Sequence, residues 1–116
     1  MAKFDKSALD KTALASLHAA IVEARKGFDE CRDEGYHSRI ASYAIQNIEA
    51  LEFEVKNLQK GKSQRRSTEQ WIAEVGILEG LAIAIAFTDD PEGSGESPLV
   101  DAVRDVAQEL DTAITD

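Results

Sequence analysis

The residues of this chain whose types could do chemistry together are Cys31, Arg32, Asp33, Glu34, Tyr36, His37 and Arg39. That short stretch offers a thiol, carboxylates, two guanidinium cations and an imidazole, which are the groups of acid–base catalysis and anion binding. Other candidates are scattered. Glu34 and His37 have the E-x-x-H spacing of carboxylate-bridged metal sites in helical bundles, but such sites draw a second E-x-x-H and two further carboxylates from facing helices. His18 stands in Leu-His-Ala-Ala with no carboxylate three positions earlier, so there is no second motif. The single cysteine excludes an intramolecular disulfide, and with two histidines it falls short of the four ligands of structural zinc unless carboxylates complete the set. No Gly-rich phosphate loop and no G-x-S-x-G elbow is present. No metal and no cofactor is expected.

Arg32 and His37, with four residues between them, resemble the R-x4-H element of HEPN-type RNases. The resemblance implies an all-α domain in which Arg32 and His37 act at the scissile phosphate of RNA, at a junction between helices. It covers two residues; in that family the pair lies late in the chain, whereas here it lies early, with Asp33 beside the arginine. Glu49 and Glu52, with Glu54 nearby, are similar to one of the carboxylate pairs through which helical nucleotide pyrophosphohydrolases bind Mg2+. No second such pair stands at a suitable place. The plainer account of positions 31–39 is a charged turn between helices, and of Cys31 a small core residue, because it falls on an apolar seam. Catalysis is not expected.

The elements that must position these groups follow from apolar spacing. Leu14, Leu17, Ile21, Ala24, Phe28 and Cys31 recur every three or four residues, the period of a helix packed along one seam, with Ser7 and Asp10 as start signals and Gly35 as a C-terminal cap. The first helix is expected over roughly Ser7 to Glu34. A second should start with Ser38 as its cap, bury Ala41, Ala44, Ile48, Leu51, Val55 and Leu58, and stop at Gly61. Ser67 and Gln70 form a capping-box pattern before a third helix. Its apolar residues, from Trp71 through Ile77 and Leu81 to Phe87, cover most of its circumference, as in the most buried helix of a bundle. The stretch Ile72 to Phe87, broken by Glu74, Gly76, Glu79 and Gly80, reads as too short and too polar to span a bilayer. Gly76, Gly80 and Ala84 form a small ridge expected to sit against another helix. Ser97 followed by Pro98 starts a fourth helix to about Thr115, with Leu99, Val103, Val106, Leu110 and Ala113 inward. No repeat and no sustained strand-type alternation is seen. The expectation is all-α: residues 1–116 as one compact bundle of about four helices, with dimerisation through its long helices as the alternative arrangement, burying a second stripe that includes Ile45 and Phe53.

Charge is distributed unevenly along these elements. The chain carries a net -9, and 43% of its residues are hydrophobic, which fits a packed domain and not a disordered one. Residues 1–35 net -1, residues 36–66 net +3, and residues 67–116 net -11, with Arg104 the one basic residue after Arg66. Asp101, Asp105 and Glu109 stand four apart, so they stack as like charges that cost roughly 0.2 to 0.5 kcal/mol per pair. The loop carboxylates Asp89, Asp90, Glu92 and Glu96, together with Asp111, extend this acidic surface. It reads either as a solvated face or as a docking surface for a basic partner protein. The opposite cluster, Lys56, Lys60, Lys62, Arg65 and Arg66, lies around the connection between helices two and three without interleaved aromatics for base stacking. Non-specific nucleic-acid binding and membrane association are not expected, and with no signal-like start and one cysteine the chain reads as cytoplasmic. The functional expectation is a small acidic helical binding protein that occupies a partner's basic surface, in the manner of inhibitor or immunity proteins of phages and mobile elements. The alternatives are a structural homo-oligomeric helical protein and a metal-dependent or HEPN-like RNase bundle.

Overall fold

The structure is a computed structural model, and it describes residues 3–4, 11–35, 37–89 and 97–115. Four helices follow in order: α1 (Lys11–Asp33), α2 (Ser38–Gln59), α3 (Thr68–Asp89) and α4 (Pro98–Ala113). They form an all-α four-helix bundle in which α1 packs against α2 and α4, while α3 packs chiefly on α4 and more sparingly on α2. The inward seams are those of the apolar spacing: Leu17, Ile21, Ala24 and Phe28 of α1, Ala44, Ile48, Leu51 and Val55 of α2, and Val100, Val103, Val106 and Leu110 of α4 are buried together. Burial of this apolar area is the main term holding helices that would be marginal alone. Trp71, fully buried, anchors α3 to the same core. Cys31 is half-buried at its edge.

The ends of the helices follow local chemistry. Gly35 at φ 78° and Gly61 at φ 83° adopt the left-handed conformation that lets the chain leave α1 and α2. Ser67 N–H donates to Gln70 Oε1 at 2.8 Å and Gln70 N–H donates to Ser67 Oγ at 3.1 Å, the reciprocal capping box. Ser97 Oγ accepts from Val100 N–H at 3.1 Å, with Pro98 opening α4.

Several expectations are corrected. Ser38 is the first residue of α2, and the cap is His37 at φ 52° with no side-chain cap bond. The expected start signals of α1, Ser7 and Asp10, lie outside the described residues, which take up the helix at Lys11. Helix α4 ends at Ala113, after which Ile114 and Thr115 pair antiparallel with Phe4 and Lys3. A ladder two residues long has no alternation to read, and β-branched Ile114 and Thr115 suit extended backbone. Ile45 is buried in the chain's own core and does not share an outer stripe with Phe53, which is 61% exposed.

The largest correction concerns α3. It is not the most buried helix: one side, through Trp71, Val75, Leu78, Ala82 and Ile85, meets the core, while Gly76, Gly80 and Ala84 face solvent. Among the described residues, a Cβ added at Gly76 or Gly80 would meet nothing within 4 Å. The glycine that does allow close approach is Gly27 of α1, where an added Cβ would lie 2.7 Å from Leu99 Cδ1 of α4.

Candidate functional site

Two surfaces stand out, on the neighbouring helices α3 and α4. Along α3, Ala73, Gly76, Ile77, Gly80, Ala84 and Phe87 fall on one arc opposite the core, and all six are exposed. Ile72 at 52%, Ile77 at 54% and Phe87 at 43% exposure make this a contiguous apolar face. No charged residue interrupts it between Ile72 and Phe87. Glu74 and Glu79 lie on its two flanks, and both are held within the chain: Glu74 Oε2 accepts from Arg66 Nε at 2.6 Å, and Glu79 lies 3.8 Å from Arg104 Nε of α4. Over Thr68–Thr88, 21 residues with mean hydropathy 1.7, α3 is long and apolar enough to cross a membrane by length and composition, and 28% of that window is buried in the fold. It therefore exceeds the length read from the stretch Ile72 to Phe87 alone.

On α4, Asp101, Asp105 and Asp111 are exposed and Glu109 is half-buried; none of the four makes an ion pair with the described residues. Arg104, within the same helix, turns to α3 instead. The structure thus brings these four onto one short helix. Asp89 ends α3; its side chain, and Asp90, Glu92 and Glu96 altogether, lie outside the described residues.

The basic cluster and the polar stretch are used differently. Glu54, 3% exposed, accepts from Arg66 Nη1 at 2.8 Å, from Arg66 N–H at 3.2 Å and from Trp71 Nε1 at 2.8 Å. Burial alone would lower the Arg66 pKa, but hydrogen bonds and charge from Glu54 and Glu74 outweigh it and hold the guanidinium above its ordinary value. Arg66 is therefore a clamp joining α2, the connection and α3, whereas Lys60, Lys62 and Arg65 remain exposed. Neither Glu54 nor Trp71 suggested this network in advance, because they are seventeen residues apart in sequence; an acidic residue on the inward side of α2 was the available signal. Glu52, also buried, is met by Arg25 at 3.5 Å and Lys56 at 3.7 Å, and Glu49 is exposed.

Arg32 lies 3.5 Å from Asp29 and 3.3 Å from Asp33, all at the outer end of α1. His37 is half-buried and Tyr36 lies outside the described residues. Among the described residues no group of three or more His, Cys, Asp or Glu is placed to hold a metal ion. A groove of about 420 Å³ runs between the end of α1, the end of α3 and the start of α4, lined in part by Glu23, Glu30, Cys31 and Glu34. Its polar lining sets Glu23, Glu30 and Glu34 beside Lys26 and Ser97. No family model, curated protein or solved structure matches this chain.

Proposed function

We propose that this chain is a small acidic helical binding protein that docks the outer face of α4 on a basic surface of a partner protein, as inhibitor and immunity-type proteins do. The observation that carries the reading is the ladder of Asp101, Asp105 and Glu109 with Asp111 beside it, turned outward or half-outward and without an ion pair among the described residues. Such like-charge stacking opposes helix formation, so a fold under selection for stability alone would mix signs there. A basic partner turns that local cost into attraction and steers encounter.

The experiment compares wild type with the variant Asp101→Asn, Asp105→Asn, Glu109→Gln as baits for affinity capture from the native host, with circular dichroism showing equal helicity. The reading expects a basic protein retained by wild type and lost with the variant. Equal retention by both baits, or a retained partner without basic surface, refutes it. A homo-oligomeric structural role is the second reading, favoured by the exposed apolar face of α3.

A further inference from the structure

We infer that the outer face of α2, together with the connection that follows it, binds single-stranded nucleic acid. The inference is independent of the α4 reading. Arg39, Tyr43, Gln46, Phe53, Asn57 and Lys60 fall on one helical stripe, opposite the buried Ala44, Ile48, Leu51 and Val55. Tyr43 at 63% and Phe53 at 61% are the most exposed large hydrophobic side chains among the described residues. Roughly 15 Å of helix separates them, at a rise of about 1.5 Å per residue. The cations beside these rings are free to act outward: the side chains of Arg39, Lys60, Lys62 and Arg65 are exposed and make no ion pair or hydrogen bond among the described residues. Arg66 does not count with them, because Glu54 and Glu74 hold it, nor does Lys56, which meets Glu52. Glu52 and Glu54 are buried, so the exposed carboxylates nearby are Glu49, on the flank of the stripe, and Glu69, in the first turn of α3.

The chemistry of the face selects the occupant. Unpaired positive charges beside exposed planar rings fit a polyanion that carries flat apolar groups, with phosphates on Arg39, Lys60, Lys62 and Arg65 and unstacked bases on Tyr43 and Phe53. Gln46 and Asn57, on the same stripe, add hydrogen-bonding amides. A duplex keeps its base faces stacked and leaves the rings without a partner. The acidic stretch of α4 in a second copy exposes only polar side chains from Asp101 to Thr112, so it would meet the cations and not the rings. An anionic bilayer takes up a continuous apolar stripe, which Gln46 and Asn57 interrupt here. The net charge of -9 is not spread over this face: residues 36–66 net +3 and residues 67–116 net -11. Helices α2 and α4 both pack on α1 and stand diagonally across the bundle, so the acidic ladder lies more than one Debye length, about 8 Å at physiological salt, from the outer face of α2.

The test is fluorescence anisotropy of a labelled, unstructured oligonucleotide of about 20 nucleotides titrated with the full chain. Binding is expected at low salt, with log K falling against log salt at a slope of about -3 when all four cations meet phosphate, since each contributes roughly 0.7. Tyr43→Ala and Phe53→Ala should each weaken binding about tenfold, whereas Tyr43→Phe keeps the ring and the affinity. The variant Lys60→Gln, Lys62→Gln, Arg65→Gln should reduce the slope by about 2. These side chains lie outside the core, so circular dichroism should show the wild-type helicity in every variant. A duplex of the same length, and polyglutamate as competitor, should each bind at least about tenfold more weakly, because neither supplies an unstacked ring. No binding at low salt, affinity or slope indifferent to these variants, or equal binding of duplex or polyglutamate overturns the inference. So does binding of phosphatidylserine vesicles in place of the oligonucleotide, abolished by Phe53→Ala, because the face would then serve lipid.

Discussion

Replacing Glu54 by alanine tests whether the clamp between α2 and α3 holds the fold as its geometry implies. The carboxylate is 3% exposed and accepts three hydrogen bonds, from Arg66 Nη1, Arg66 N–H and Trp71 Nε1. Breaking a fully buried ion pair by removing one partner costs about 3 to 5 kcal/mol, but the Arg66 side chain is a quarter exposed and keeps Glu74, so about 1 to 2 kcal/mol is the appropriate share here. Loss of the bonds from the indole and the backbone N–H adds about 1 to 2 kcal/mol. The sum is about 3 kcal/mol, equivalent to a fall in Tm of roughly 10 °C for a domain of this size. Urea denaturation followed by fluorescence of Trp71, the one tryptophan, reports directly on this contact. Glu54→Gln keeps the shape and an acceptor for the indole, so it should cost about half as much. Because the folded-state pKa of Arg66 is raised, its contribution is fully present below the unfolded-state value and is lost only as pH rises through the higher folded one. Arg66 titration should therefore give no slope across the neutral range. A loss under about 0.5 kcal/mol for Glu54→Ala would refute the clamp, since a change that small is what an exposed surface site gives.

On α3, Gly76→Ala and Gly80→Ala should each stabilise the fold by up to about 1 kcal/mol, because among the described residues the added methyl meets nothing within 4 Å. Urea midpoints at low protein concentration check this effect; a lowered midpoint would show that the space is filled. Ser97→Ala should cost about 1 kcal/mol by removing the cap on Val100 N–H, read as a lower midpoint with the same m-value. Neutralising Asp105 and Glu109 should stabilise the fold by roughly 0.2 to 0.5 kcal/mol per relieved pair at low salt, with the gain vanishing in high salt, whereas neutralising Asp101, in the first turn of α4, also removes a favourable charge at the helix N-terminus and offsets part of that gain.

The helices were legible where one apolar stripe and a local stop signal coincided. Leu17, Ile21 and Phe28 on α1, Ser97 and Pro98 before α4, and the Ser67–Gln70 box all depend on neighbours within one or two turns. Helix α3 was misjudged for a definite reason: apolar residues on every side state that the whole surface avoids water, but periodicity cannot say whether its own chain supplies the cover. Gly76 and Gly80 had the spacing of a close-approach ridge, yet the close approach occurs at Gly27, a lone glycine whose meaning comes from Leu99 on another helix. The placing of Asp101, Asp105 and Glu109 on one helix was legible because spacing of four residues fixes a helical face, although Glu109 is half-buried; the clamp of Glu54, Arg66 and Trp71 was not, because only the tertiary fold joins the three.

The most direct test of the account is the association rate between this protein and the basic partner that affinity capture returns, measured by stopped flow at low and high salt for wild type and the Asp101→Asn, Asp105→Asn, Glu109→Gln variant. Charge complementarity acts chiefly on encounter, so the wild-type rate should fall as salt shortens the Debye length toward about 3 Å at 1 M, and the variant should bind roughly tenfold more slowly at low salt and converge with wild type at high salt. Equal rates for the two proteins under both conditions would contradict the account and leave the α4 ladder as a solvated face.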